Sequence, residues 1–468
     1  MTDAHWQTSR EIVERIMVYG DLVLETPACL GNGNSDVLAD MPLSLDPLEG
    51  RALLTGTSIA GALRAYLRER EFGYRLDGNS DALHNRLFGR QEDDEGAQSW
   101  LITYDALGEI PHQVELRDGV ALEPETRTAE SKKKFDFELL EAGTGFTLRL
   151  ELLVPRDEGD ELLRGFAISL QGLEKGEIAF GARKRRGLGR CRVTQWQVTR
   201  YKLTEPTGLL EWLNQTGRPQ IGPRISELLG IQADLDQRES FTVEAIFSLD
   251  GSLLIRSGMG EAFAPDSVHL QSCRNNRMVP ILSGTSLAGA LRSRSLRIAR
   301  TVGTKEKAER LVNDLFGLRI QSSQDKPVAS RLITEETEII SPLDLVQTRV
   351  KIDRFTGGSF PTALFSEQPV WGKTGTMVSV YFVIQQPSKA HIGLALLLLK
   401  DLWTGDLPLG GEISVGRGRL TGQMATLTYR HATNSQKWIL IQDDGQLHVD
   451  GDPNQLEPFL SAFVKEMQ

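Results

Sequence analysis

The chain repeats itself, and the repeat constrains its fold more than any other feature. Residues 54–64 (LTGTSIAGALR) return as residues 282–292 (LSGTSLAGALR), with nine of eleven positions identical and an offset of 228. Three landmarks follow in the same order: Leu-Phe-Gly at Leu87 (offset 228), Leu-Ile-Thr at Leu101 (offset 231) and Gly-x-Gly-Arg at Gly187 (offset 229). A fixed order at a nearly constant offset indicates two copies of one structural module.

Each copy is predicted to fold as strand, helix, strand, strand, helix, strand. Alternating apolar residues predict the strands, and apolar residues three and four apart predict the helices. In the first copy the strands are 18–28, 100–104, 146–154 and 191–201; the first helix is capped by Thr57 or Ser58, and the second covers 159–173. In the second copy the strands are 241–255, 331–335, 375–385 and 420–429, and the helices are 286–300 and 388–403. Residues 1–17 predict a further short helix.

This order of elements is that of ferredoxin-like and RRM-like folds. We therefore predict an α+β protein built from two tandem ferredoxin-like (RRM-like) modules. The first module spans residues 1–204 and the second spans 240–430. Between them, residues 205–239 form an ordered linker with three prolines, and residues 431–468 form an extension with one hairpin and one helix.

The composition limits the compartment. Cys29, Cys191 and Cys273 are far apart and form no Cys-x-x-Cys, which argues against structural zinc and a disulfide framework and favours a reducing compartment. The N-terminal residues are polar and do not resemble a secretory signal. The longest apolar run, residues 392–399, is too short to span a bilayer. We expect a cytoplasmic protein without a membrane partner.

The net charge of −10 argues against strong binding of nucleic acid by the whole surface. The positive charge is clustered, however, and a local basic track can hold a phosphate backbone. We expect the isolated chain to bind RNA weakly. The basic candidates for RNA contact are Arg64, Lys132, Lys133, Lys134, Arg183, Arg185, Arg186, Arg190, Arg292, Arg417 and Arg419.

Two repeated glycine elements are candidates for phosphate contact. The Gly-Thr-Ser element opens a helix in both copies, and a helix N-terminus favours an anion; the alternative is an ordinary helix cap with a close-packed glycine. Its residues are Gly56, Thr57, Ser58, Gly284, Thr285 and Ser286. The Gly-x-Gly-Arg loops can bring the backbone close to RNA, or they are tight turns with solvated arginines.

A carboxylate in the loop after the first strand is the candidate for chemistry. Asp40 lies 16 residues before Gly56, and Asp266 lies 18 before Gly284, so the two are approximate equivalents. Such residues are usually turn formers. The alternative is a carboxylate beside the bound backbone that helps a metal ion or orients a 2′-hydroxyl for attack on its phosphate.

The sequence Asp40-Met-Pro-Leu-x-x-Asp46-Pro, followed by the Gly-Thr-Ser helix, resembles the RAMP superfamily of CRISPR-associated proteins. More narrowly it resembles the fused, double-module backbone protein of type III-D effector complexes. Arg349-Val-Lys351-Ile-Asp-Arg354-Phe-Thr-Gly-Gly, with Leu-Phe-Ser-Glu after it, resembles the "thumb" insertion of that family. The resemblance adds Arg349, Lys351 and Arg354 to the candidates for RNA contact. The first copy has Arg-Thr-Ala-Glu-Ser-Lys-Lys-Lys instead.

The resemblance implies a function. Such subunits bind guide RNA along a filament-like complex with other CRISPR effector subunits, and base pairing selects the target RNA. A loop aspartate supports cleavage of the target with a divalent metal, Mg²⁺ or Mn²⁺, by 2′-hydroxyl attack. Carried over, this residue is Asp40 in the first module and Asp266 in the second. Asp266 is followed by Ser-Val-His and lacks the family's proline.

Two alternatives remain open. In the first, the chain is a non-catalytic RNA-binding scaffold of the same complex, and another subunit cleaves. In the second, it is a guide-processing endoribonuclease that needs no metal and uses histidine. The loop after the first strand does not contain a histidine in both copies, which disfavours the second alternative.

Overall fold

The computed structural model describes residues 11–31, 41–74, 81–90, 96–110, 113–123, 129–257, 265–318, 328–431 and 434–468. The first module and the linker contain β1 (Ile12–Leu24), β2 (Leu53–Leu54), α1 (Gly56–Phe72), α2 (Leu83–Phe88), β3 (Leu101–Thr103), β4 (Ala106–Leu107), β5 (Val114–Leu122), β6 (Ala129–Leu140), β7 (Gly145–Pro155), α3 (Gly159–Glu174), β8 (Cys191–Lys202), α4 (Pro206–Asn214), β9 (Gln220–Gly222) and α5 (Ile225–Leu229).

The second module and the C-terminal extension follow. They contain β10 (Ser240–Asp250), β11 (Ser252–Leu253), β12 (Arg256–Ser257), β13 (Ser267–His269), β14 (Gln271–Arg274), β15 (Arg277–Leu282), α6 (Gly284–Val302), α7 (Lys305–Phe316), β16 (Leu332–Thr334), β17 (Thr337–Ile340), β18 (Leu343–Asp344), β19 (Gln347–Ile352), β20 (Ser359–Gln368), β21 (Val370–Trp371), β22 (Met377–Gln385), α8 (Lys389–Trp403), β23 (Arg419–His431), β24 (Asn434–Asp443), β25 (Gln446–Asp450) and α9 (Glu457–Met467).

The core of each module is an antiparallel sheet. Its strand order is β8-β1-β7-β3 in the first module and β23-β10-β22-β16 in the second. Counted along each copy, this is fourth, first, third, second, the order expected of a β-α-β-β-α-β ferredoxin-like unit. The predicted fold, two tandem ferredoxin-like modules, is therefore confirmed.

The central strand β1 corrects the prediction of a helix over residues 1–17. Residues 1–10 lie outside the described part, but Ile12 begins a strand that pairs with both β7 and β8. Ile16 and Val18 are fully buried and alternate with Met17 on the other face, which is only slightly exposed. Glu14 and Arg15 interrupt the apolar alternation in the first part of the strand, because they form ion pairs with Arg200 of β8 and Glu151 of β7.

The two core helices α1 and α6 begin one residue after a hydroxyl cap. The Thr55 side chain accepts the Ser58 N–H in α1, and Ser283 accepts the Ser286 N–H in α6. The prediction of Thr57 or Ser58 as the cap is therefore wrong by two or three positions. A glycine starts each helix because a Cβ at Gly56 would lie 2.5 Å from the Thr103 carbonyl oxygen.

Each module carries a hairpin insertion that we call its thumb: β5–β6 in the first module and β19–β20 in the second. The linker is folded onto the first module, because β9 pairs with β8 and Ile225 and Leu229 join the core there. The C-terminal extension belongs to the second module in the same way. Strands β24 and β25 extend its sheet, and Phe463 and Met467 of α9 lie in its core.

Candidate nucleic-acid interface

A groove of about 750 Å³ lies at the start of α1 in the first module. Its walls are the first turns of α1, the loop after β1 and the loop before β8. Thr57 and Ser58 expose their hydroxyls there, and Lys184 is an exposed cation on the opposite wall. The Gly56 N–H is already donated to Asp105 (2.6 Å), and the Ser58 N–H to Thr55 (3.3 Å). Hydroxyl groups and Lys184, rather than these two amides, are the groups that this groove presents.

The loop before β8 carries three arginines and brings one of them, Arg186, against the second module. The 3-10 turn at Lys184–Arg186 is closed by Gly187 with a φ of 82°. The Arg186 carbonyl oxygen abuts the start of α6 so closely that a Cβ at Gly284 would lie 2.2 Å from it. Arg292 of α6 and Arg183, Arg185 and Arg186 of the loop therefore form one cluster across the module junction, which we call the arginine cluster.

Arg186 is the centre of the arginine cluster. Its Nη1 is buried and has no hydrogen-bond partner within the described residues. Burial, and then the charges of Arg292, Arg185 and Arg183, lower the pKa of Arg186 to about 10. A buried cation that is surrounded by like charges is unfavourable in isolation. The geometry therefore suits an anion that the protein itself does not supply.

The other two loop arginines are held in place by different contacts. The Arg183 guanidinium lies over the rings of Phe135 and Phe137, at 4.6 and 4.5 Å from their centroids. Burial lowers the pKa of Arg183 and of Arg185, and the charge of Glu69 partly offsets this for Arg185. Stacking on aromatic rings fixes an arginine while leaving its N–H groups available for phosphate oxygens.

Arg190 and Arg417 are paired with carboxylates of the chain. Arg190 forms ion pairs with Glu335 and, at 3.3 Å, with Glu25. Arg417 is buried against Glu367 (2.9 Å) and Glu412 (2.9 Å). It occupies the position of the buried Leu188 in the first copy, so here the Gly-x-Gly-Arg loop carries an internal ion network instead of an apolar contact. Arg419 is exposed at the start of β23.

The repeated arginines of the first core helices have matching partners. Arg64 donates to Asn85 Oδ1, and Arg292 donates to Asn313 Oδ1, each at 2.7 Å. Arg292 also donates to the Gly317 carbonyl oxygen (2.8 Å). In both copies this arginine ties the core helix to the short helix after it, which gives a structural reason for its presence in the repeat.

The thumb residues predicted to contact RNA lie outside the arginine cluster. Lys134 is exposed on β6 and lies 3.2 Å from Asp118. Lys132 and Lys133 belong to the same strand, but their side chains lie outside the described part. In the second thumb Arg349 pairs with Glu412 (3.1 Å), Lys351 lies over the Phe360 ring, and Arg354 is exposed in the turn.

Asp266 lies at the base of the second thumb. It is exposed, and its Oδ2 accepts the Ser366 N–H (2.7 Å) and the Ser366 hydroxyl (3.3 Å) of β20. Asp40 lies outside the described residues. Its neighbour Met41 is bridged to Phe137, and the Leu43 N–H donates to Glu138 Oε2 (3.0 Å) on the first thumb. The loop and the thumb thus meet in both copies. In the first copy the carboxylate that joins them, Glu138, belongs to the thumb, and in the second copy Asp266 belongs to the loop.

A metal-ligand set does not accompany Asp266. Among the residues that the structure describes, no group of three or more His, Cys, Asp or Glu side chains could hold a metal ion together. One oxygen of Asp266 is already committed to Ser366. Because Mg²⁺ is commonly held by one or two carboxylates together with substrate phosphates, the predicted Mg²⁺ or Mn²⁺ ion stays a prediction for this module.

The junction also contains charged residues that the sequence did not single out. Arg117 of the first thumb donates to both carboxylate oxygens of Glu336, which is buried. Glu335 and Glu336 follow the repeated Leu-Ile-Thr directly, where the first copy has Tyr104 and Asp105. In the sequence, the two acidic residues directly after the repeated Leu-Ile-Thr could have indicated this contact.

Comparison with known proteins supports this architecture. A sequence profile of the RAMP superfamily matches residues 21–192 and 253–421, once in each module. No curated protein matches the chain significantly. None of the described helices is both long and apolar enough to cross a membrane. RAMP proteins are CRISPR-associated and bind RNA, and this chain, matched over most of its length, belongs to the RAMP superfamily.

Proposed function

We propose that this chain is a guide-RNA-binding backbone subunit of a type III CRISPR effector complex, of the III-D kind. The observation that carries the proposal is the arginine cluster: its central residue, Arg186, is half-buried, its Nη1 has no hydrogen-bond partner among the described residues, and like charges surround it. RNA phosphates supply the missing negative charge. The cluster lies where the two modules meet, so one RNA strand contacts both modules there.

The groove extends this track into the first module. Lys184 lines the groove, and Arg186, two residues later, contacts the start of α6. The 3-10 turn therefore separates two anion-attracting places, one at the start of each core helix. Phosphates and 2′-hydroxyls are groups that an RNA backbone presents whatever its sequence, so recognition of this kind leaves the choice of target to base pairing.

RNA binding by the purified chain tests this proposal. A labelled RNA of guide length is titrated at several salt concentrations from about 50 to 200 mM, because each lost phosphate contact lowers the salt dependence of binding. Combined Arg185→Gln and Arg186→Gln substitutions should weaken binding and flatten its salt dependence. Arg218→Gln, on the exposed linker, is the matched control. Equal binding by all three proteins would refute the proposal.

The second part of the proposal is cleavage of the guide-complementary target RNA. We assign it to the first module, through Asp40, whose neighbour Met41 is held at the base of the first thumb. A carboxylate at that place would orient the 2′-hydroxyl of a nucleotide that the thumb displaces. In the second module the Ser366 N–H already donates to Asp266, which favours a scaffold role for that module.

Mapping the cuts in the assembled complex separates these roles. Target RNA is cleaved with Mg²⁺ or with a chelator by wild type, Asp40→Ala, Asp266→Ala and the double variant. We expect Asp40→Ala to abolish one cut and Asp266→Ala to leave that cut intact. If every cut persists in the double variant, the chain is a non-catalytic scaffold and a neighbouring subunit cleaves.

Asp266→Asn refines the test of the second module. The asparagine oxygen still accepts the Ser366 N–H, but it is a poor metal ligand without its charge. If Asp266→Ala disturbs the complex and Asp266→Asn does not, the residue positions the thumb. If both abolish a cut equally, Asp266 acts in the reaction and the scaffold role of the second module is wrong.

A further inference from the structure

The sheet of the first module has one face turned to its core helices and one turned away from them. Ile16, Val18 and Leu150 point to the helices and lie in the apolar core. Side chains alternate along a strand, so Tyr19 and Arg149 point to the other face. Arg149 is exposed and Tyr19 is half-buried. This outer face therefore presents an aromatic ring and a cation on the two central strands, β1 and β7.

Four side chains form a line across the outer face, which we call the sheet row. Tyr19 of β1 lies directly opposite Arg149 of β7 and Gln197 of β8. Tyr104, just after β3, completes the row, because its N–H donates to the Arg149 carbonyl oxygen (3.2 Å). Directly opposite residues of antiparallel strands have Cβ atoms about 4.5–5.5 Å apart. One planar ligand can therefore contact Tyr19 and Arg149 together.

The position of Arg149 is fixed by a chain of contacts. Its guanidinium lies over the Tyr104 ring, 4.1 Å from the centroid, and forms no ion pair within the described residues. The Tyr104 hydroxyl donates to Glu151 (3.2 Å), a buried carboxylate that also accepts from Arg15 (2.8 Å). Arg15 in turn lies over the ring of Trp212 on α4, at 4.5 Å. An arginine held in this way is ordered before any ligand arrives, which lowers the entropic cost of binding.

The second sheet carries two carboxylates in the equivalent row. Glu335 takes the place of Tyr104, because it also donates its N–H to the neighbouring strand, at the Tyr381 carbonyl oxygen (3.2 Å). Glu244 lies opposite Tyr381 and takes the place of Tyr19. Glu335 is also ion-paired across the module junction. The two rows share one place in the fold, so the fold itself does not require the aromatic and cationic side chains of the first row.

We propose that the sheet row binds single-stranded nucleic acid by stacking an unpaired base on Tyr19 and Arg149. Aromatic rings and guanidinium planes are the groups on which proteins stack such bases, and RRM domains do so on the open face of a four-stranded sheet. Gln197 and the exposed Thr147 supply hydrogen-bonding groups beside the row. The row shares no residue with the arginine cluster and contacts bases rather than phosphates, so this second site goes beyond the proposed function.

A single strand of about six nucleotides that contains 2-aminopurine tests the proposal on the purified full chain, because the fluorescence of this base falls when it stacks. The titration is run at about 200 mM salt, where phosphate contacts are weakened. Tyr19→Leu and Arg149→Gln should each weaken binding at least about tenfold, whereas Tyr19→Phe keeps the ring and should bind like wild type. Arg297→Gln, an exposed arginine of α6, is the matched control. Thermal midpoints confirm that each variant is folded.

Three further arms separate this site from the arginine cluster and from other ligands. Combined Arg185→Gln and Arg186→Gln should leave the stacking signal intact, so the proposed function and this site fail independently. Single-stranded DNA should bind like RNA, because every base has a π-face, and a blunt duplex should not bind. Photo-cross-linking with 5-iodouracil should attach the strand at Tyr19. Cross-links confined to residues 183–190, equal binding of the duplex, or an unchanged signal in Tyr19→Leu would each refute the site, and the row would then serve a protein contact.

Discussion

Replacing Arg186 by methionine should stabilise the free protein and weaken its binding to RNA. Methionine keeps much of the length of the side chain and removes the buried charge. Burial and three neighbouring guanidinium groups lower the pKa of Arg186 to about 10. Because a tenfold change in proton affinity corresponds to about 1.4 kcal/mol, the charged form costs the folded state at most about 3 kcal/mol, and solvent reduces this to about 1–2 kcal/mol.

The direction of the change in stability follows from the protonation states of Arg186. At neutral pH Arg186 is charged in both the folded and the unfolded chain, so the folded chain bears the cost of the cation and the variant does not. The free energy of unfolding, measured in urea by tryptophan fluorescence, should therefore rise. Affinity for RNA should fall, and the slope of log affinity against log salt should decrease by about 0.7 for one lost contact to a single strand.

Arg190→Met is the matched control, four residues along the same loop. Its guanidinium is paired with Glu335 across the junction, so its loss should lower the free energy of unfolding. The two substitutions should thus shift stability in opposite directions. If Arg186→Met destabilises the protein as Arg190→Met does, or leaves RNA binding unchanged, the arginine cluster is not a phosphate-binding site.

Three other predictions concern the junction and the second core. Glu336→Gln removes the counter-charge that Arg117 shares with Arg274 and leaves Arg117 with Glu115 alone, so it should cost up to about 3 kcal/mol of unfolding free energy in urea; a loss below about 1 kcal/mol would contradict a buried ion pair. Gly284→Ala places a Cβ against the opposing loop and should destabilise by about 1–3 kcal/mol, whereas Gly289→Ala, in open space on the same helix, should stabilise by up to about 1 kcal/mol; circular dichroism melts compare them. Burial lowers the pKa of His269 to about 4, so the unfolded chain binds more protons between pH 6.5 and 4, and stability should fall through that range by up to about 3 kcal/mol; His269→Gln should flatten this part of the pH profile.

The sequence predicted the core sheet well because its strands carry local information. β7 and β8 carry enough alternating or continuously apolar sequence to be predicted to within one residue at each end. The start of β1 was predicted six residues too late, because Glu14 and Arg15, which pair with Arg200 and Glu151 of the neighbouring strands, suggest a helix. The helix caps were displaced for a similar reason: the hydroxyl that caps α1 is chosen by the packing of Gly56, which no local pattern reveals.

The sequence predicted which segments form the candidate site, but not which of their arginines are ion-paired within the chain. The glycine loops, core-helix starts and thumbs all lie where the repeat suggested. Which arginines face a ligand depends on carboxylates far away in sequence. Arg190 meets Glu335, 145 residues later, and Arg417 meets Glu367, 50 residues earlier, whereas Arg186 meets neither. Such pairings are set by tertiary packing, at the module junction for Arg190 and inside the second module for Arg417, and residue spacing does not predict them.

The folded linker has a consequence for the order of sites along a bound strand. A loose tether of about 35 residues would add about 3 kcal/mol of closure entropy to the docking of the two modules. Here β9 and α5 pack on the first module, as does Ala233 after them, so the chain leaves that module at a fixed point shortly before β10. The two copies are consequently neighbours in every molecule, in equal number, and no foreign subunit can be inserted between them. In any assembly that contains this chain, the covalent structure therefore fixes which two modules are neighbours.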